Sequence, residues 1–131
     1  MNFSKKFISY NKPYCKGSTL KYIKNTLLNA SISGDGQFTA KCSEEIVNIS
    51  SAKKALLTHS CTASIEMSAI LADIQIGDEI IMPSYTFVST ANAFVLRGGV
   101  PVFVDVEPTT FNINPNLIEK AITSRTVAIV P

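Results

Sequence analysis

Residues 58–64 read T-H-S-C-T-A-S and run into an apolar helical pattern, which gathers the Ser60, Thr62 and Ser64 hydroxyls where a helix begins. A helix start leaves backbone N–H groups unpaired and carries the positive end of the dipole, so the cluster suits an anion of phosphate type. Ser and Thr at such a place also act as simple caps, and residue type alone leaves both readings open. A second cluster, P-S-Y-T-F at 83–87, offers two aromatic rings. Tyr85 and Phe87 could stack on a flat ligand ring or pack in a core. A third, D-V-E-P at 105–108, follows another apolar run.

Other chemistries lack their motifs. The chain has no G-x-G-x-x-G, G-x-x-x-x-G-K-[ST], G-x-S-x-G or H-E-x-x-H pattern. Cys15, Cys42 and Cys61 lack C-x-x-C spacing, and with the single His59 they cannot complete a tetrahedral metal site unaided. They read as reduced thiols, with Cys61 a helix-start residue rather than a nucleophile. Apolar residues make up 46% of the 131, which excludes a disordered tail. No run is long enough for a transmembrane helix or signal peptide, so a soluble cytoplasmic protein is expected. Residues 1–54 hold nine lysines against three acids, and residues 55–131 three bases against seven acids. The lysines are spread and not interleaved with aromatics, so nucleic-acid binding is not expected.

The elements that must position these clusters alternate regularly. Residues 1–17, with Pro13 and Gly17, read as an extended arm, and Ser18 as the N-cap of a first helix ending near Ala30. S-I-S-G-D-G-Q-F-T, 31–39, is a loop whose Thr39 is placed to cap a helix carrying Ile46, Val47 and Ile49. Strand-like runs follow at 55–58, 79–82, 100–106 and 126–130, with helical patterns at 62–74, 86–97 and 116–122 between them. The runs are continuous, as in strands buried on both faces. Their alternation predicts an α/β fold with a mostly parallel sheet and helices on both faces. The three clusters then fall at the carboxyl ends of strands, where ligands of such sheets bind.

Taken in order, G-D-G-Q-F-T (34–39), L-L-T-H-S-C-T-A-S-I-E-M (56–67), the segment 77–94 around P-S-Y-T-F, and G-G-V-P-V-F-V-D-V-E-P-T-T-F-N-I (98–113) resemble the DegT/DnrJ/EryC1/StrS family of sugar-nucleotide aminotransferases. The resemblance covers about residues 7–131 and is strongest from Gly34. It implies the N-terminal part of the large domain of a fold type I enzyme dependent on pyridoxal 5′-phosphate (PLP). Residues 1–33 would form an arm and helix, and 34–131 the first part of the cofactor-binding domain. It also implies a dTDP-sugar and L-glutamate as substrates, a homodimer, and a role in cell-surface polysaccharide synthesis.

Residue by residue, the resemblance implies that Thr62 and Ala63 hold the cofactor phosphate, with Cys61 beside them, and that Phe87 stacks on the pyridine ring. Asp35 and Phe38 are implied on the sugar-nucleotide side, and His59 receives no role. The family's aspartate at the pyridinium nitrogen and its cofactor-anchoring lysine correspond to positions beyond Pro131, so the chain is expected to be a truncated piece without turnover of its own. Two alternatives remain: a PLP-dependent sugar dehydratase of the same family, and a remnant or binding module that does no catalysis.

Overall fold

The computed structural model describes residues 9–29 and 32–131. Residues up to Ala55 form one compact unit and Leu56–Pro131 another. The first unit holds helices α1 (Ser18–Leu28) and α2 (Gln37–Ser50). Tyr22 meets Phe38 edge to face at 5.3 Å, and Gln37 donates to Asn25 Oδ1 at 2.8 Å. The N-cap positions fall one and three residues before those expected at Ser18 and Thr39: they are Gly17 and Gly36, without side-chain cap bonds. The expected arm holds no helix or strand over 9–16, and its first eight residues, like Ala30, lie outside the described residues.

The second unit runs α3 (Cys61–Leu71), β1 (Glu79–Pro83), α4 (Val88–Val95), β2 (Val100–Val104), α5 (Pro115–Ala121) and β3 (Thr126–Ile129). The three strands are parallel in the order β2-β1-β3. The chain passes from β1 to one edge and returns across β1 to the other. With right-handed crossovers, that reversal puts α4 and α5 on opposite faces. Ile80 and Met82 pack with Ala69, Ala93 and Phe94 from α3 and α4, while Ile81 is equally buried outside that cluster. Each of these three side chains contributes about 1.5–3 kcal/mol by leaving water.

Two expectations change here. Only central β1 is buried throughout; in the flanking strands, each with a strand neighbour on one edge only among the described residues, Val100, Phe103, Val127 and Ile129 stay exposed. Residues 55–58 carry the apolar run of a strand but pair with none of the three, and Leu56 and Leu57 are exposed.

A hydrogen bond from Gly77 to the Gly98 carbonyl, 2.9 Å, joins the segment after α3 to the end of α4. The two helices therefore finish at the same end of the sheet, and both begin at the carboxyl end of β1. Gly98 allows this closeness: its φ is +86°, and a Cβ there would lie 2.7 Å from Ile76 Cγ1.

At this same end, the amino end of β1, Glu79, 5% exposed, accepts hydrogen bonds from Thr123 and from Arg125 Nε at 3.0 Å, and is paired with the Arg125 guanidinium. The Thr123 bond first, and Arg125 second, hold its carboxyl below the usual glutamate range. This clamp fixes the entry of β3 beside β1.

Candidate functional site

The start of α3 is a built turn. Ser60 is extended (φ −159°, ψ 160°), and its Oγ accepts the Ala63 N–H at 3.1 Å while its carbonyl accepts the Ser64 N–H. Thr58 Oγ1 donates to the Ser60 carbonyl at 2.8 Å and lies 2.6 Å from Ser64 Oγ. With its proton committed to Ser60, Thr58 is the acceptor of the Ser64 hydroxyl. The hydroxyls thus do cap the helix, as one of the two open readings had it.

The cap does not use every donor. Ser60 engages Ala63, but among the described residues no acceptor meets the N–H of Cys61 or Thr62. Thr62 and Ala63 are half-buried, Cys61 is exposed, and the first turn carries no acidic residue. Two unpaired N–H groups, the Thr62 hydroxyl and the positive helix end form a donor set that fits a phosphate dianion. A ligand reaching Ala63 as well would share that N–H with Ser60 or displace it.

Phe87 directly precedes α4 and is 75% exposed; Tyr85 is 71% exposed. Neither ring is in the core, which removes that reading of P-S-Y-T-F. Both stand at the carboxyl end of β1, the end where α3 also begins. The neighbouring loop after β2 holds the segment: Ser84 N–H donates to the Val104 carbonyl at 2.8 Å, Ser84 Oγ to Asp105 Oδ1 at 3.4 Å, and the Tyr85 ring lies 5.7 Å from that of Phe111. Asp105 also accepts from its neighbour Val106 at 2.8 Å, so this carboxylate is occupied in shaping the loop.

Asp35 and Phe38 belong to the first unit. Asp35 is exposed at φ +50°. Phe38 lines two depressions of about 170 and 430 Å³ and lies under Lys41 Nζ at 5.5 Å from its ring centre. No group of three or more metal-ligating side chains gathers among the described residues. Sequence reading missed Thr58 and Phe111: a hydroxyl outside the helix and an aromatic in an irregular loop leave no periodic signal.

The family profile described as the DegT/DnrJ/EryC1/StrS aminotransferase family matches residues 13–131. The spore coat polysaccharide biosynthesis protein SpsC of Bacillus subtilis is 34% identical over 95% of this chain and 32% of its own length. The UDP-2-acetamido-2-deoxy-3-oxo-D-glucuronate aminotransferase of Pseudomonas aeruginosa is 34% identical over 73% of this chain and 27% of its own. Among solved structures, the putative sugar aminotransferase Spr1654 of Streptococcus pneumoniae in its PMP form superimposes with a TM-score of 0.88 at 27% identity, over 95% of this chain and 31% of that one. It is also known in a PLP form, with a TM-score of 0.84. The chain spans about a quarter to a third of the length of these relatives.

Proposed function

The chain belongs to the DegT/DnrJ/EryC1/StrS aminotransferase family, and from that premise we propose that it provides the phosphate-holding and ring-facing part of a PLP-dependent transaminase of nucleotide-linked keto sugars. The observation that carries the reading is the start of α3, where the Cys61 and Thr62 N–H groups stand unpaired behind a turn fixed by Ser60. PLP, which the family uses, supplies the electron sink through which an amino group is exchanged. Cys61, Thr62 and Ala63 bind its phosphate, and Phe87 covers one face of its ring. Asp35 and Phe38 contact the sugar nucleotide.

The finer reading is transfer from L-glutamate to C4 of a dTDP-4-keto-6-deoxy sugar, giving dTDP-4-amino-4,6-dideoxygalactose for enterobacterial common antigen or O-antigen. Its support is the ordered set of segments from Gly34 to Ile113. A homodimer and a cytoplasmic location are part of the same reading, and no helix among the described residues is long and apolar enough to cross a membrane.

Within residues 56–131 the single lysine is Lys120, in the last turn of α5. That turn leads to the Thr123–Arg125 clamp at the amino end of β1, away from the start of α3. The second unit therefore has no amine at its own cradle, and residues 1–131 are proposed to hold PLP without transferring an amino group. Titration of the full chain with PLP, followed by tyrosine fluorescence since it has no Trp, tests this. Saturable quenching relieved by inorganic phosphate is the expected result, and its absence overturns the cradle.

A further inference from the structure

Among the described residues, four non-glycine residues have positive φ: Asp35, Ser51, Asp73 and Phe111. Three are small and polar, which the left-handed region tolerates; Phe111, at φ +58°, is not. It closes the turn Glu107–Phe111, where its N–H donates to the Glu107 carbonyl at 2.9 Å. Glycine or asparagine is the usual occupant of such a closing position. The ring is 60% exposed, so core burial does not account for it. Its aromatic partner is Tyr85, at 5.7 Å with the planes 48° apart.

We propose that Phe111 is a positioning residue: through Tyr85 it fixes the segment Ser84–Phe87 and so the presentation of Phe87. Ser84 is tied at its N–H to Val104 and at its hydroxyl to Asp105. Beyond Ser84 the N–H groups of Tyr85, Thr86 and Phe87 have no partner among the described residues; the Phe87 carbonyl and the Thr86 hydroxyl are tied only to Thr90 in α4, at 3.0 and 3.1 Å, and the Tyr85 ring is the point where the β2–α5 loop reaches into that span. An unfavourable backbone conformation kept at an exposed residue whose ring packs on Tyr85 marks that contact, rather than the turn, as its purpose. The importance of Phe87 rests on the function proposed above; the fixing of the segment does not.

The test compares the full chain with Phe111→Gly and Phe111→Tyr. Glycine suits the positive φ, so Phe111→Gly is expected to melt no lower than the parent. Amide order parameters at Tyr85, Thr86 and Phe87 are expected to fall from about 0.85 to below about 0.6, with Ile80–Met82 unchanged. Phe111→Tyr restores them. The apparent PLP dissociation constant rises as the competent fraction falls, about threefold if a third of molecules keep the geometry. Unchanged order parameters, or a lowered melting temperature in Phe111→Gly, overturn the proposal. If the parent binds no PLP, the cofactor role of Phe87 fails, while the order parameters still decide whether Phe111 positions the segment.

Discussion

Thr58 Oγ1 and Ser64 Oγ lie 2.6 Å apart, binding the segment before α3 to the helix's first turn. Because Thr58 also donates to the Ser60 carbonyl, one side chain sets the approach angle of the turn whose N–H groups face outward. Thr58→Val keeps the shape and removes the hydroxyl. It is expected to cost about 1 kcal/mol in denaturant unfolding, the usual worth of such a bond, and to weaken PLP binding in the same titration.

Ser60 separates capping from ligand binding. Ser60→Ala loses the Ala63 bond and is expected to lower stability by about 1 kcal/mol, while PLP affinity is held, since the Ala63 N–H becomes available. Ser60→Asp is as good a cap and complements the helix dipole, so stability holds or rises. Its charge sits where a phosphate would bind, and PLP affinity is expected to drop at least about tenfold by like-charge repulsion. A Ser60 variant in which stability and affinity move together contradicts an anion site at this turn.

Gly98→Ala tests the close approach that aligns α3 with α4. The positive φ and the 2.7 Å contact with Ile76 act in the same direction, so a loss of more than about 1 kcal/mol is expected. Thermal or denaturant melts of the two proteins measure it; an equal midpoint contradicts the packing described.

The Glu79 clamp sets an acid limb. Its carboxyl titrates below the ordinary glutamate value because Thr123, and then Arg125, stabilise the ionised form. Unfolding raises that value back to about 4.3. The stabilisation is therefore complete above about pH 4.3 and is lost as pH falls through the lower folded value. Glu79→Gln is expected to be less stable than the parent at neutral pH, with the gap in melting temperature closing below about pH 4. A gap independent of pH contradicts the clamp.

The legibility of this chain in its sequence varies with the physics involved. β1, β2 and β3 stand out because Glu79–Pro83, Val100–Val104 and Thr126–Ile129 are apolar runs set off by turn residues. The helices between them were legible from spacing, with ends moved by one to three residues. At 55–58 the same apolar signal failed, since a strand exists only where a neighbour accepts its ladder and no described strand does. Half-exposed β2 and β3 are the same matter in another form: composition reports what a strand can bury, not what covers it.

The candidate site was legible as residue types in S-C-T-A-S and P-S-Y-T-F, and its resolution into roles needed three dimensions. Ser60 takes the Ala63 N–H, leaving Cys61 and Thr62 as the unpaired donors. Tyr85 turns to Phe111 across the gap between two loops, 26 residues away in sequence, a pairing that no local pattern encodes.

The most direct measurement is ¹⁵N amide spectroscopy of the full chain during addition of PLP, with inorganic phosphate as competitor. The expected result is saturable shifts at Cys61, Thr62 and Phe87, with phosphate reversing those of Cys61 and Thr62 and clearing Phe87 only by displacing PLP. Saturable shifts confined to other residues, or none at the start of α3, would contradict the claim that this turn is a cofactor-phosphate cradle.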